Sequence, residues 1–338
     1  MPIKPPRLNY GDTVGIVAPA SAPPDPKAIN RSVEALERLG FKPKLAANAR
    51  RRWGFLAGSD RERAADLMKM FTDRKVNAIV CLRGGYGTAR LLPLLDYEKI
   101  QANPKIFIGY SDITSLHCAF LAKANLISFH GPMLNSDFIK DDFPQFTLQS
   151  FLRTLMEVKA AGSVRGGSSV ERGAWREESA ERRHESVAEG ISILRSGKAS
   201  GQLIGGNLSL MCTTLATPYQ PSFKKKILFL EDLDEVPYRF DRMLTHLLNA
   251  GLLQQVAGIA IGTNKDCIDP KAKGCKEYRQ TMEDVFKERL ASLKIPVVLG
   301  LLFGHVPLNA TLPVGVKATL DGVRGDLIIE EAAVAGRR

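Results

Sequence analysis

Hydrolysis by a nucleophilic side chain needs three groups to converge: a hydroxyl, a histidine that takes its proton, and a carboxylate that orients the histidine. In this 338-residue sequence the serine best placed for such work is Ser111. The apolar run Ile106-Phe107-Ile108 reads as a buried strand ending at Gly109, and Ile113, Leu116, Phe120 and Leu121 then share one face of a helix. A strand-to-helix turn lifts the hydroxyl out of the sheet. It also aims the first, unpaired helix N–H groups at the space where negative charge would develop. A plain helix cap occupies the same kind of position, so Ser111 alone does not decide between the two.

Of the five histidines, His184 lies in a polar stretch, His246 inside a helix and His117 on an apolar helix face. His130 and His305 each follow a strand directly and precede a turn containing proline, where a base can be presented; spacing does not choose between them. The carboxylate is Glu231, at the end of a strand from Lys226 to Leu230, with Asp232, Asp234 and Glu235 following. Those acids, with Asp266 or Asp269, would be the ligands of a divalent cation, but no histidine lies near them and no Cys-x-x-Cys or His-x-x-x-His spacing occurs. A glycine-rich loop, Arg83-Gly84-Gly85-Tyr86-Gly87-Thr88, follows another apolar strand and would let backbone N–H groups approach an anion. It lacks the Gly-x-Gly-x-x-Gly order of a dinucleotide fingerprint, and a tight turn needing positive φ explains the glycines equally well.

The elements that must position these residues alternate strand, loop and helix. Strands at 13–18, 41–45, 76–82, 106–109 and 126–129 alternate with helical patterns, and Ser59 with Glu62 has the capping-box spacing for a helix to Thr72. This predicts an α/β fold with a parallel sheet whose ligand edge lies at the strand C-termini. Residues 1–152 are read as an N-terminal nucleophile domain and 153–198, charged and without apolar periodicity, as an interdomain connection; 199–338 form a domain carrying the acid and the histidine. Ala318–Leu320 and Leu327–Glu330 read as a closing hairpin.

Hydrophobic content of 44% with 25% charged residues suits large soluble cores. The formal net charge of +11 comes without long basic runs or a nucleic-acid-binding signature, so it predicts attraction for anionic small molecules and excludes a nucleic-acid partner. Five scattered cysteines predict reduced thiols and a cytoplasmic location, and no apolar run reaches the length of a membrane span.

Taken together, Gly11-Asp12-Thr13-Val14-Gly15-Ile16-Val17-Ala18-Pro19-Ala20-Ser21, Ala57-Gly58-Ser59-Asp60, Arg83-Gly84-Gly85-Tyr86-Gly87, Gly109-Tyr110-Ser111-Asp112, Gly205-Gly206-Asn207 and Gly304-His305 resemble the successive motifs of the LD-carboxypeptidases. These are the muramoyltetrapeptide carboxypeptidases of peptidoglycan recycling. The resemblance implies a flavodoxin-like N-terminal domain with a smaller C-terminal β/α domain, a Ser-Glu-His triad at Ser111, Glu231 and His305, and an oxyanion hole from the N–H groups of Gly85 and Asp112. It thereby selects His305 over His130. Arg83, Tyr86 and Asn207 fall in the matching motifs and are assigned to substrate binding, with Arg83 or another nearby cation expected to hold a terminal carboxylate and a surface arginine as the alternative reading of Arg83. The resemblance further implies a murein tetrapeptide substrate, a homodimer, and neither metal nor cofactor. The related microcin C immunity peptidase, with the same triad and a different amide substrate, is one alternative; a two-domain protein that only binds an anionic ligand is another.

Overall fold

The computed structural model describes residues 1–165, 190–268 and 280–337. Its first half runs β1 (Thr13–Val17), α1 (Lys27–Arg38), β2 (Lys42–Leu45), α2 (Asp60–Thr72), β3 (Ala78–Cys81), α3 (Tyr97–Ala102), β4 (Ile106–Gly109), α4 (Thr114–Ala124), β5 (Ser128–His130) and α5 (Gln145–Met156). The second half runs β6 (Gly162–Ser163), β7 (Ser192–Arg195), β8 (Lys198–Asn207), α6 (Leu208–Thr214), β9 (Ile227–Glu231), α7 (Pro237–Asn249), β10 (Gly258–Thr263), α8 (Met282–Leu290), β11 (Val297–Gly304), β12 (Leu312–Val314), β13 (Lys317–Asp321) and β14 (Asp326–Ile329).

In the first sheet the order β5-β4-β3-β1-β2 is parallel throughout, which is the doubly wound flavodoxin-like order. Strands β3 and β4 are buried at every position, as their unbroken apolar runs require when helices cover both faces. The Ser59 hydroxyl accepts the Glu62 N–H while the Glu62 carboxylate accepts the Ser59 N–H, so the capping box forms as predicted and contributes about 1 kcal/mol to α2. The segment that follows the glycine-rich loop, Thr88–Leu94, is a 3₁₀ helix. Pro93 inside it has no N–H to donate.

The second sheet has the order β6-β14-β13-β8-β9-β10-β11-β7. Its centre, β8 to β11, is parallel; the predicted β13–β14 hairpin pairs antiparallel and extends it on one side. Strand β8 serves both parts, since its first half pairs with β13 and its second with β9. The stretch 153–198 contributes the last turn of α5 and both edge strands of this sheet, β6 and β7. Most of its charged residues, His184 among them, and also Asp269 and Cys275, lie outside the described residues.

One element crosses over. Strand β12, from the C-terminal half, pairs antiparallel with β5 and forms the outer edge of the first sheet. Three residues with a central proline carry no strand signal, and proline is tolerated there because an edge strand has a free side. Packing between the halves is continuous: Phe229 and Phe303 belong to the same apolar core as Phe107 and Phe129. Two adjacent main chains touch at Gly205, at φ +143°, where a Cβ would stand 1.8 Å from the Phe229 carbonyl oxygen. Gly205→Ala is expected to cost about 3 kcal/mol, read as a lowered denaturation midpoint, because neither strand can move without breaking the sheet.

Candidate active site

Strand β4 ends at Gly109, and Ser111 enters the turn with φ +64°, in the left-handed region that a β-carbon disfavours. Holding a serine there costs about 1–3 kcal/mol, which the buried strand and helix on either side must supply. The 3₁₀ turn Ser111–Ile113 leads straight into α4, so the helix begins directly after the serine. Gly84 lies against it: a Cβ on Gly84 would be 2.8 Å from Ser111 Cβ, 3.0 Å from its Oγ and 3.3 Å from the Asp112 nitrogen. The glycine-rich loop is thus pressed onto the Ser111 turn by the absence of a side chain. The loop is pinned on its other side by Ser21, whose hydroxyl accepts the Tyr86 N–H at 3.1 Å. Asp112 is buried, its carboxylate accepting the Thr88 N–H at 2.9 Å while the Thr88 hydroxyl donates to its carbonyl at 2.5 Å.

Across the junction, β9 delivers Glu231 and β11 delivers His305. His305 Nδ1 lies 2.6 Å from Glu231 Oε2, with the glutamate fully buried and the imidazole mostly so. Burial alone would lower the histidine's pKa. The Glu231 hydrogen bond and charge, aided by Asp232 and Asp137, outweigh it and hold His305 above 6.5. The neighbouring Asp232 is the anchor of the strand end, since it accepts from Asn207 Nδ2 (2.8 Å) and from the Ser209 N–H (3.0 Å) and hydroxyl (2.8 Å). Among the described residues no cluster of histidine, cysteine and carboxylate groups has the arrangement of a metal site.

The two candidate bases are separated by their surroundings. His130 is wholly buried between Tyr110 and Phe229, and neither ring nitrogen has a partner among the described residues. Burial, with His117 and His305 adding to it, drives its pKa well below 6.5, so it stays a neutral core group with no route to solvent. His117 is likewise structural: its two nitrogens meet Ser128 Oγ and the Gly109 carbonyl, each at 2.8 Å, and burial lowers it to about 4. His305 instead lies with its ring 4.8 Å edge-on from the ring of Tyr110, the residue before Ser111.

The sequence pattern of the LD-carboxypeptidase N-terminal domain matches residues 14–131, and that of the LD-carboxypeptidase C-terminal domain matches residues 200–320. The chain is 38% identical to a probable murein peptide carboxypeptidase of Bacillus subtilis, over 98% of this chain and 96% of that protein. The chain belongs to the LD-carboxypeptidase family. It is a serine-type carboxypeptidase, and two solved structures agree with that fold. The microcin C7 self-immunity protein MccF superposes with a TM-score of 0.83 at 29% identity, covering 99% of this chain and all (100%) of the other. A muramoyltetrapeptide carboxypeptidase from Oxalobacter formigenes does so with 0.76 at 30% identity, covering 94% and 99%.

In this LD-carboxypeptidase the remaining predicted site residues lie on the glycine-rich loop and at the end of β8. Gly85 lies in the loop above Ser111, with Arg83 beside it and half-buried. Tyr86 is half-exposed, edge-on to Phe55 at 5.6 Å. Asn207 is buried and its side chain is committed, accepting from the Leu210 N–H and donating to Asp232, while its own N–H donates to Thr114 Oγ1 at 3.0 Å. In this arrangement it joins the start of α4 to the strand beside Glu231. Sequence reasoning passed over three contributors: Tyr110 against His305, Asp137 behind Tyr110 at 3.4 Å, and Asp232 as the anchor. Asp232 and Tyr110 carried a signal, their adjacency to Glu231 and Ser111; Asp137 carried none.

By imidazole NMR, His305 is expected to titrate above 6.5 and His130 to stay neutral through the accessible range. Glu231→Gln removes the charge that does most to raise His305 and leaves the burial that lowers it, so its titration is expected to shift downward from that of the wild type. Gly84→Ala is expected to reduce kcat at least ~100-fold with little change in melting temperature, since the added methyl displaces the serine and not the core.

Proposed function

We propose that the protein hydrolyses the bond between the L-centre of a diamino acid and the terminal D-alanine of murein tetrapeptides in peptidoglycan recycling, through an acyl-enzyme on Ser111. The observation that carries this is the buried Glu231–His305 hydrogen bond at the ends of β9 and β11, beside the strained Ser111 turn. In the reading this supports, His305 takes the hydroxyl proton as Ser111 Oγ attacks the scissile carbonyl carbon. Glu231 holds the ring and stabilises the imidazolium. The carbonyl oxygen, now bearing the negative charge, is met by the N–H groups of Gly85 and Asp112. Collapse of the tetrahedral intermediate breaks the C–N bond, and His305 returns its proton to the leaving amine of D-alanine. Water then attacks the ester with His305 as base again, releasing the shortened peptide and restoring Ser111.

The basic character of the chain suits a peptide rich in carboxylates. Cys81, Cys118, Cys212 and Cys267 are all free thiols, which supports a reducing, cytoplasmic setting, and no helix among the described residues is long and apolar enough to cross a membrane. The homodimer rests on the family resemblance and is checked by light scattering on the purified protein.

Ser111→Ala, His305→Ala and Glu231→Ala are each expected to lower D-alanine release from a muramyl tetrapeptide by ~10³–10⁶-fold with folding intact. Near-native turnover in any one removes that residue from the mechanism. A tetrapeptide ending in L-alanine is expected to be a poor substrate. Preference for it contradicts the LD assignment, and tight binding of either peptide without product leaves a binding protein.

A further inference from the structure

Strands β9 and β11 are not neighbours. Strand β10 lies between them, which separates their axes by about 9–10 Å. A contact of 2.6 Å between Glu231, at the end of β9, and His305, directly after β11, therefore requires the end of β11 to leave the regular course of the sheet. The register has that irregularity: three steps along β10, from Ala260 to Thr263, are matched by six along β11, from Val298 to Gly304. The bulged chain crosses β10 where a Cβ on Gly262 would stand 2.5 Å from the Phe303 carbonyl oxygen. It reaches β9 where a Cβ on Gly304 would stand 3.0 Å from Glu231 Oε2, and Gly304 has φ +112°, which a glycine adopts freely. A bulge disrupts the ladder that would otherwise fix a strand end, so the chain leading to His305 needs another tether.

Asn309 is placed to supply it. The residue is buried, and its Oδ1 accepts the Gly304 N–H at 3.2 Å. Its own N–H donates to Thr147 Oγ1 at 2.9 Å, and the N–H of Ala310 donates to the Leu302 carbonyl at 2.8 Å. Asn309 thus joins the bulged end of β11 to α5, a helix of the other half. Its Nδ2 is buried and has no partner among the described residues. An apolar side chain of the same shape would leave no such donor unsatisfied, so the amide is unfavourable for the fold except through the bond its oxygen makes to Gly304.

We propose that Asn309 is a positioning residue for the base: by holding the Gly304 N–H it fixes the main chain from which His305 projects, and so sets the distance from the imidazole to Glu231. This rests on the reading of His305 as the base. The groups that face the imidazole are Glu231 and Asp232 at the end of β9, Asp137 after β5, Tyr110 after β4 and the neutral His130 of β5. Of these, Glu231 makes the hydrogen bond. Loss of the tether lengthens that bond and leaves the burial in place, so His305 titrates lower. The acid limb of kcat/KM, below which the base is protonated, then moves to lower pH.

The test follows D-alanine release from a muramyl tetrapeptide against pH, with imidazole NMR of His305, in the wild type, Asn309→Ala and Asn309→Asp. Asn309→Ala is expected to lower kcat by ~30–100-fold with KM within ~3-fold of the wild type, and to shift both the acid limb and the His305 titration to lower pH. Asn309→Asp keeps an acceptor for Gly304 and adds a negative charge, and is expected to recover most of kcat with the limb at or above that of the wild type. Wild-type kcat in Asn309→Ala overturns the proposal. So does a lowered kcat with limb and titration unmoved, which marks Asn309 as a brace of the fold alone, and so does a folded Asn309→Asp no better than the alanine variant. If circular dichroism finds Asn309→Ala unfolded, Asn309→Leu, which fills similar volume without an acceptor, carries the same comparison. Turnover by His305→Ala would defeat the underlying reading; the His305 titration in Asn309→Ala does not depend on turnover and tests the positioning in either case.

Discussion

The hydrogen bond between Glu231 and His305 is the interaction around which the rest is arranged. A carboxylate with no exposure to solvent is tolerable only if its partner is held at the right distance, because an unpaired buried charge is far costlier than the pair is favourable. The strand ends are accordingly fixed from several sides. Asp232 ties Asn207 and Ser209 to the end of β9, and the Asn309 side chain accepts the N–H of Gly304, the residue before His305. The loop after His305 is clamped by α5, through Thr147 to Pro307 and Asn309 and through Ser150 to Thr311.

That clamp comes from the half of the chain that carries Ser111. So do Thr114, which accepts the Asn207 N–H, and Cys118, whose sulfur lies 3.3 Å from that of Met211. With β12 crossing into the first sheet, the two halves are held by main chain, by side-chain hydrogen bonds and by a shared core. On the proposed mechanism, a nucleophile on one half and a base on the other need a junction of this rigidity, since a displacement of about 1 Å between reacting groups is enough to cost ~100-fold in rate. The strained φ of Ser111 fits the same logic: strain persists where the surroundings over-determine the backbone.

Much of this was legible in the residues. The flavodoxin-like sheet followed from unbroken apolar runs at regular intervals, and the Ser59–Glu62 capping box from three-residue spacing. Glu231 and His305 were visible as polar residues at the ends of apolar strands. Their meeting was not, because they are 74 positions apart and parallel pairing leaves no local mark. Spacing alone did not separate His130 from His305, since both follow strands; the family motifs chose His305, and the packing of Tyr110 and Phe229 shows His130 wholly enclosed. Strand β12 escaped notice because three edge residues with a proline have no periodicity to read.

The account's central claim is that a base from one half activates a nucleophile on the other. It is tested most directly by rapid acid quench of the enzyme with a murein tetrapeptide, followed by intact and peptide mass spectrometry. The account predicts a covalent adduct of the peptide less its terminal D-alanine, located on Ser111, formed by the wild type and absent from His305→Ala. An adduct on another residue, or one that forms on Ser111 equally fast without His305, would contradict it.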